Sequence, residues 1–180
     1  MVYSNWDYSK RRFDPLPAGF IAETEHHQIS SGVLSVADGV YVSTGLGVIL
    51  DSLGDGKIRN YRLPSDAGDA TDFGGVLLFD QTNYRNPAQP IRTHSNMDMI
   101  NVIRAGKVRV HVATTATLTD INAPVYLIHT AATDEKVGEF KTTAGANSFL
   151  LKNAKWGTLL EPTAGENVAT LELLGNSNPA

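Results

Sequence analysis

The residues that could do chemistry in this chain are few, and their spacing matches no catalytic site. His26 and His27 are adjacent and follow Glu25. Adjacent residues of a strand point to opposite faces, so these imidazoles are poorly placed to bind one metal ion. There is no cysteine, which excludes disulfides, thiolate metal ligands and a thiol nucleophile. The sequence also has no G-x-S-x-G elbow, and its Gly45-Leu46-Gly47-Val48 run lacks the lysine and the helix of a phosphate-binding loop.

Three carboxylates, Asp66, Asp69 and Asp72, share one loop and could gather around a cation. The loop lacks the alternating oxygen ligands of a calcium-binding loop, so a solvated acidic turn is the interpretation that we favour. We therefore predict no catalytic residue and no metal site, and a protein that is not an enzyme.

The alternation of side chains along a strand predicts which face two further histidines lie on. His111 shares a face with Arg109, between valines at alternate positions, and we expect that face to meet solvent or an interface. His129 shares the face of Val125 and Leu127, which predicts a hydrogen-bonded core histidine rather than a metal ligand.

Composition limits the partners that the chain could bind. Its 180 residues suffice for one hydrophobic core, and 42% of them are hydrophobic, as in globular proteins. The net charge is −4 with both signs dispersed, so we expect no nucleic-acid binding. The polar, aromatic N-terminus is unlike a signal peptide, and no run is long enough to span a bilayer, so we expect no membrane partner.

Short β-branched runs between glycines and prolines predict an all-β fold, either a β-barrel or a jelly-roll-like β-sandwich. About ten strands are expected. We predict a single β domain over residues 20–175, a polar tail over 176–180 and an extended N-terminal arm over 1–19.

The clearest strand pattern lies between residues 98 and 130. Ile100 and Val102 precede Ala105-Gly106, and alternating valines follow. A three-residue loop, Arg104 to Gly106, would join two apolar faces and place Gly106 at positive φ, so we predict a hairpin there.

The arm and one long loop carry the candidate partner-binding residues. Pro15 and Pro17 keep the arm from forming a helix or a central strand. Its aromatic and basic side chains would contact a neighbouring chain, and these are Tyr3, Trp6, Tyr8, Lys10, Arg11, Arg12 and Phe13. Residues 80–97 form a loop long enough to be a binding excursion. Its candidate contacts are Tyr84, Arg85 and Arg92.

Three segments of the chain follow one another in a distinctive order. A Gly74-Gly75-Val76-Leu77-Leu78 segment and a loop precede Asn101 to Val110. Ala123-Pro124-Val125-Tyr126 begins the next expected strand, and the segment Glu139-Phe140-Lys141-Thr142 then leads to a last strand, Val168 to Leu174. In this order of turns and strands the chain resembles the capsid decoration, or structural cement, proteins of tailed bacteriophages. The resemblance covers residues 70–175, and the chain departs from many members in its arm and its 80–97 loop.

The resemblance implies a non-enzymatic virion protein that needs no cofactor. It would be a homo-oligomer, trimer or dimer, on the outer surface of the capsid, assembled in the host cytoplasm, and its partner would be the major capsid protein. Two alternatives remain open. One is a carbohydrate-binding or receptor-binding β-module, weakly supported by scattered aromatics at Tyr61, Tyr84, Tyr126 and Trp156. The other is an enzyme on a β-barrel, which would need clustered acids and a phosphate-binding loop.

Overall fold

Short strands dominate the computed structural model. The structure describes residues 18–22, 27–54, 58–79, 93–114, 120–159, 161–163 and 166–175. These ranges hold a single 3₁₀ helix, Ala67–Asp72. They also hold thirteen strands: β1 Gln28–Leu34, β2 Val42–Ser43, β3 Gly47–Gly54, β4 Ile58–Arg62, β5 Phe73–Leu77, β6 Thr93–His94, β7 Met99–His111, β8 Val125–Ile128, β9 Phe140–Lys141, β10 Ser148–Leu151, β11 Ala154–Trp156, β12 Glu161–Thr163 and β13 Glu166–Leu174.

Five of these strands close into a barrel. Their order is β1-β4-β3-β5-β7, and β7 pairs back with β1 to complete the ring. β1 and β4 run parallel, whereas the other pairs around the ring are antiparallel. The all-β prediction is confirmed, and of its two architectures the chain adopts the barrel. Closure leaves these five strands without an open edge.

β7 is a single strand of thirteen residues, so the predicted hairpin at Arg104 to Gly106 is wrong. Ala105 pairs with Gln28 of β1 and with Leu174 of β13, and Gly106 pairs with Leu173. The ladder therefore runs through the expected turn. Gly106 does have positive φ, at 113°, but it uses that freedom inside a strand and not in a hairpin loop.

The length of β7 lets it serve two hydrophobic clusters. Ile100 and Val102 pack inside the barrel with Tyr61, Leu77 and neighbouring aliphatic residues. Its second half, which includes Val108 and Val110, packs in a larger cluster beneath the separate β10-β8-β9 sheet. β13 extends the main sheet beside this second half, and β11 and β12 pair with β13. One strand thus connects both parts of the core.

Candidate functional site

The residues predicted to bind a partner all lie outside the described residues: Tyr3, Trp6, Tyr8, Lys10, Arg11, Arg12, Phe13, Tyr84, Arg85 and Arg92. The structure does describe where the two segments that carry them join the body. The N-terminal segment joins at residues 18–22, which we call the arm base. The 80–92 segment joins between Phe79 and Thr93.

The arm base lies along the second half of β7. Gly19 N donates to Arg109 O at 2.8 Å, Arg109 N donates to Phe20 O at 2.8 Å, and Ala22 N donates to Lys107 O at 2.9 Å. Ile21 also forms an antiparallel bridge with Val108. The last two residues of the predicted arm, Ala18 and Gly19, are therefore attached to the barrel.

The two segments join the body at the same place. The rings of Phe20 and Phe79 are stacked with their centroids 4.9 Å apart, and Phe79 N donates to Gly19 O at 2.9 Å. Next to them, the Nε2 atom of buried His94 lies 3.4 Å from Leu78 O. Any contact made by residues 1–17 or 80–92 therefore starts from one region of the surface.

Two glycines make the close packing of the arm base possible. Gly19 and Gly45 have φ values of +86° and +85°, which strain any residue that has a Cβ. A Cβ on Gly45 would lie 2.5 Å from the Cβ of Ala18, and one on Gly19 would lie 2.5 Å from the Cβ of Thr44. The Thr44 hydroxyl adds a hydrogen bond to Ala18 O at 3.1 Å. Nothing in the local sequence pattern predicts that Gly19 and Gly45 meet.

Four exposed apolar residues precede β2 or lie from the end of β6 to the first residue of β7, and we call them the apolar tip: Val40, Tyr41, Met97 and Met99. Met97 is 70% exposed and Met99 is 57% exposed. Asn96 holds the two loops of this region together, because it accepts from Val36 N at 3.2 Å and donates to Asp38 at 2.8 Å. Met97 has φ +64°, an uncommon conformation for a residue with a side chain. Exposed apolar groups held this way are typical of an interaction surface.

The acidic loop is an ion-paired structural element, so the favoured interpretation of a solvated turn is wrong for Asp69. Asp69 is buried, Arg62 binds both of its carboxylate oxygens, and Ser65 N donates to it at 2.7 Å. Burial by itself would raise the pKa of Asp69, but these hydrogen bonds outweigh burial and lower the pKa to about 2. Asp66 caps the 3₁₀ helix by accepting from Gly68 N at 2.7 Å.

A second polar cluster lies beside the β10-β8-β9 sheet. The buried Lys141 ammonium contacts Glu135 Oε2 at 3.0 Å and Asn147 Oδ1 at 2.8 Å. Glu139 is also buried, and burial raises its pKa although Lys136 N donates to it at 2.9 Å. His129 lies in the core as predicted, with its Nδ1 atom 2.9 Å from Thr130 Oγ1. Lys141, Glu135 and Asn147 are thus bonded to one another and stabilise the fold.

The expectation for the Arg109 face is wrong. Arg109 is 5% exposed, and its Nη1 donates to Thr170 Oγ1 at 3.2 Å on the neighbouring strand. Arg109 is therefore part of the protein interior, while His111 is half-buried. Within the described ranges, no three His, Asp or Glu side chains are grouped so as to hold a metal ion. No helix in the same ranges is long and apolar enough to cross a membrane.

Two of the four aromatics that could have formed a glycan-binding platform are buried. Tyr61 and Trp156 belong to the core, where Tyr61 OH lies 3.0 Å from Ser30 Oγ. Tyr126 is half-buried, and Tyr84 lies outside the described residues. Tyr61 and Trp156 therefore present no exposed ring face for a sugar to stack on.

Comparison with known proteins agrees with the resemblance that the sequence shows. The model of the family described as structural cement protein (E217 gp24/Pam3 gp6) matches residues 7–174. Among solved structures, a chain in the capsid of Myoviridae phage XM1 shares the fold with a TM-score of 0.63. The two are 21% identical, and the match covers 90% of this chain and 91% of the other. No curated protein matches the chain.

The family match extends over nearly the whole length of the chain. It spans the barrel, the β10-β8-β9 sheet and the last long strand, and it includes much of the N-terminal segment that precedes the arm base. The chain therefore belongs to the structural cement protein family of phages, and its role in the phage capsid is structural.

Proposed function

We propose that this protein lies on the outer surface of a phage capsid and bridges neighbouring major capsid protein subunits. The family to which it belongs supports a structural role, and the arm base supports this particular form of it. The two segments that carry aromatic and basic residues join the barrel beside the same stacked pair of rings, Phe20 and Phe79. A rigid body with two such segments at one place suits a clamp between subunits.

The attachment of the arm base is the observation that carries this proposal. Hydrogen bonds to β7 and the approach of Gly19 to Gly45 hold residues 18–22, so a pull on residues 1–17 is transmitted to the barrel. Seventeen extended residues reach roughly 60 Å at most, which is enough to cross onto a neighbouring subunit. Trp6, Tyr8 and Phe13 would anchor the contact, because buried aromatics dominate interface energies. Lys10, Arg11 and Arg12 would add salt-dependent steering.

We further propose that the protein acts as a symmetric homo-oligomer, trimer or dimer. The apolar tip supports this, since exposed methionine, tyrosine and valine side chains favour contact with another protein surface. Symmetric copies that each make a modest contact add up to high avidity for the shell. A shell that contains packed DNA is pushed outward, and these contacts would have to break before it opens. The role that we infer requires no catalysis and no cofactor.

Deletion of residues 2–14 tests the bridging role. We expect the shortened protein to fold with a normal circular dichroism spectrum, since the arm base remains. We also expect it to lose most of its binding to empty capsids in a co-sedimentation assay. Normal capsid binding by the shortened protein would contradict the proposal, and so would a body that no longer folds.

Two substituted full-length proteins separate the contributions within the arm. Replacing Trp6, Tyr8 and Phe13 by alanine should weaken binding at every salt concentration. Replacing Lys10, Arg11 and Arg12 by glutamine should mainly slow association and flatten its salt dependence. A third protein with alanine at Tyr84, Arg85 and Arg92 tests the 80–92 segment in the same assay.

A further inference from the structure

A groove of about 560 Å³ lies at the end of the molecule formed by the outer strands of the main sheet. One wall is the 121–125 segment, which leads into β8. The opposite wall is the turn between β10 and β11 together with β11 itself. β13 and the second half of β7 complete it through Glu172 and Lys107. The groove therefore belongs to none of the surfaces described above.

Apolar side chains form part of this groove. Trp156 is 2% exposed, and its Nε1 donates to Pro124 O at 3.4 Å, which fixes the indole against the wall. Leu150 is 40% exposed and Ile121 is 47% exposed, although both are large aliphatic residues. The groove thus offers an apolar side chain a place to bury itself against Leu150 and Ile121, with the buried Trp156 fixing the wall behind them.

The charged side chains of the groove are mostly positive. Lys107, Lys152 and Lys155 line it together with one carboxylate, Glu172. Glu172 sits on β13 directly between the two lysines of the adjacent strands, Lys107 on β7 and Lys155 on β11. Its Oε2 lies 3.4 Å from the Lys155 ammonium. Asp120, just before the 121–125 wall, accepts hydrogen bonds from Asn122.

The long segments of this chain that lie outside the described residues do not complement that charge. Residues 1–17 carry three basic side chains and two acidic ones, and residues 80–92 carry two basic side chains and one acidic one. The same segments from a second copy would bring more positive charge to the lysines. An acidic segment of a different protein fits both the charge and the apolar surface.

We propose that this groove binds an acidic segment of the major capsid protein, anchored by one apolar side chain against Leu150 and Ile121. The proposal rests on the proposed function and adds a second contact, distinct from the arm. The lysines would attract the acidic segment, and the burial of the anchor would hold it.

The test compares three full-length variants in co-sedimentation with empty capsids over a series of NaCl concentrations. The groove variants are Lys155→Gln and the double variant Lys152→Gln/Lys155→Gln. The matched control is Lys136→Gln, which removes an exposed lysine outside the groove. All the substituted side chains are exposed, so each variant should fold, and thermal melting checks this. We expect about tenfold weaker binding for the double variant, with a flatter salt dependence, and unchanged binding for the control.

A photoreactive phenylalanine analogue in place of Leu150 identifies what occupies the groove. We expect it to crosslink to an acidic peptide of the major capsid protein, identified by mass spectrometry. Crosslinking to a second copy of this chain would overturn the proposal. Unchanged affinity of the double variant, or an equal loss in the Lys136→Gln control, would overturn it as well. If the unsubstituted protein failed to bind capsids at all, the proposed function itself would be wrong, which distinguishes the two failures.

Discussion

Phe20 stacks on Phe79 with 4.9 Å between ring centroids and 16° between ring planes. One ring follows the N-terminal segment and the other precedes the 80–92 segment, so a single contact fixes the starting points of both. Offset-stacked aromatic pairs contribute roughly 0.5–1.5 kcal/mol beyond the area that they bury. The pair thus joins two segments that are far apart in sequence.

A double-mutant cycle measures this link. Phe20→Leu and Phe79→Leu keep an apolar side chain at each position but remove the stacking. We expect a coupling energy of about 1 kcal/mol between the two substitutions, measured by chemical denaturation. Additive effects would show that the two rings are energetically independent.

Gly45→Ala tests the close approach of the arm base to the barrel. The new Cβ would sit 2.5 Å from the Cβ of Ala18 and 2.8 Å from Gly19 N, in a backbone conformation that alanine resists. We expect a loss of stability of about 2 kcal/mol or more. Cleavage after residue 17 by a protease should also become faster.

The chain provides a matched control for this substitution. Gly39 has a similar φ of +80°, but no atom lies within 4 Å of where its Cβ would be. Gly39→Ala therefore pays the conformational cost alone, about 1 kcal/mol. Equal losses for the two variants would mean that contact with Ala18 is unimportant.

Asp69→Asn tests the ion pair with Arg62. The folded-state pKa of Asp69 is about 2 and its ordinary value is 3.8, so the ionised form is favoured by folding. Its contribution is present above pH 4 and is lost as the pH falls through about 2. The shift corresponds to about 2 kcal/mol at neutral pH. We expect Asp69→Asn to cost about that amount at pH 7 by urea denaturation.

Asp69→Asn should also change how the stability of the protein depends on pH. Between about pH 4 and pH 2 the unsubstituted protein should lose the Asp69 contribution, whereas Asp69→Asn has no such group to protonate. The two stability curves should therefore converge on acidification. Parallel curves over this range would contradict the assigned ion pair.

Glu139→Gln should stabilise the protein at neutral pH, whereas Asp69→Asn should destabilise it. Burial raises the pKa of Glu139 above its ordinary value of 4.5, so folding favours the protonated form. As the pH rises above 4.5, the carboxyl ionises in the unfolded chain first, and the folded protein loses stability. Glutamine keeps the acceptor for Lys136 N without the charge. We expect a higher melting temperature for Glu139→Gln at pH 7 than for the unsubstituted protein.

This gain should shrink as the pH is lowered, because Glu139 is then protonated in both states. Melting curves at pH 7 and pH 4 provide the comparison. A variant that is less stable at pH 7 than the parent would show that the Glu139 charge is needed.

The strand pattern could be predicted because each strand keeps one face in a core. The expected last strand, Val168 to Leu174, lies within two residues of the observed bounds of β13, Glu166–Leu174. The hairpin prediction was wrong at Ala105-Gly106, where turn composition and strand alternation give conflicting signals. Ala105-Gly106 is typical of a turn, but Ile100, Val102, Val108 and Val110 keep the same parity across it. The strand does continue through Gly106, but its alternation does not, because the pairing with β1 shifts by one residue between Ile103 and Ala105. Ile100 and Val102 therefore face the barrel cluster, whereas Val108 and Val110 face the other cluster.

The arm base could not be predicted from local pattern. The contacts of Gly19 with Gly45, and of Phe20 with Phe79, join residues that are far apart in sequence, and neither pair has a periodic signal. The burial of Asp69 depends on Arg62 on the preceding strand, which acidic composition alone does not reveal. Arg109 was misplaced for a similar reason, since alternation does not say what covers the second face of a strand.

The position of the arm base on β7 has a mechanical consequence. A pull on the N-terminal segment along the direction of β7 would load the hydrogen bonds of Gly19, Phe20 and Ala22 together, in shear, rather than open them one after another. The same strand is continuous with Ile100 and Val102 in the barrel interior. A force applied at the arm base is therefore distributed along one continuous strand into both halves of the core.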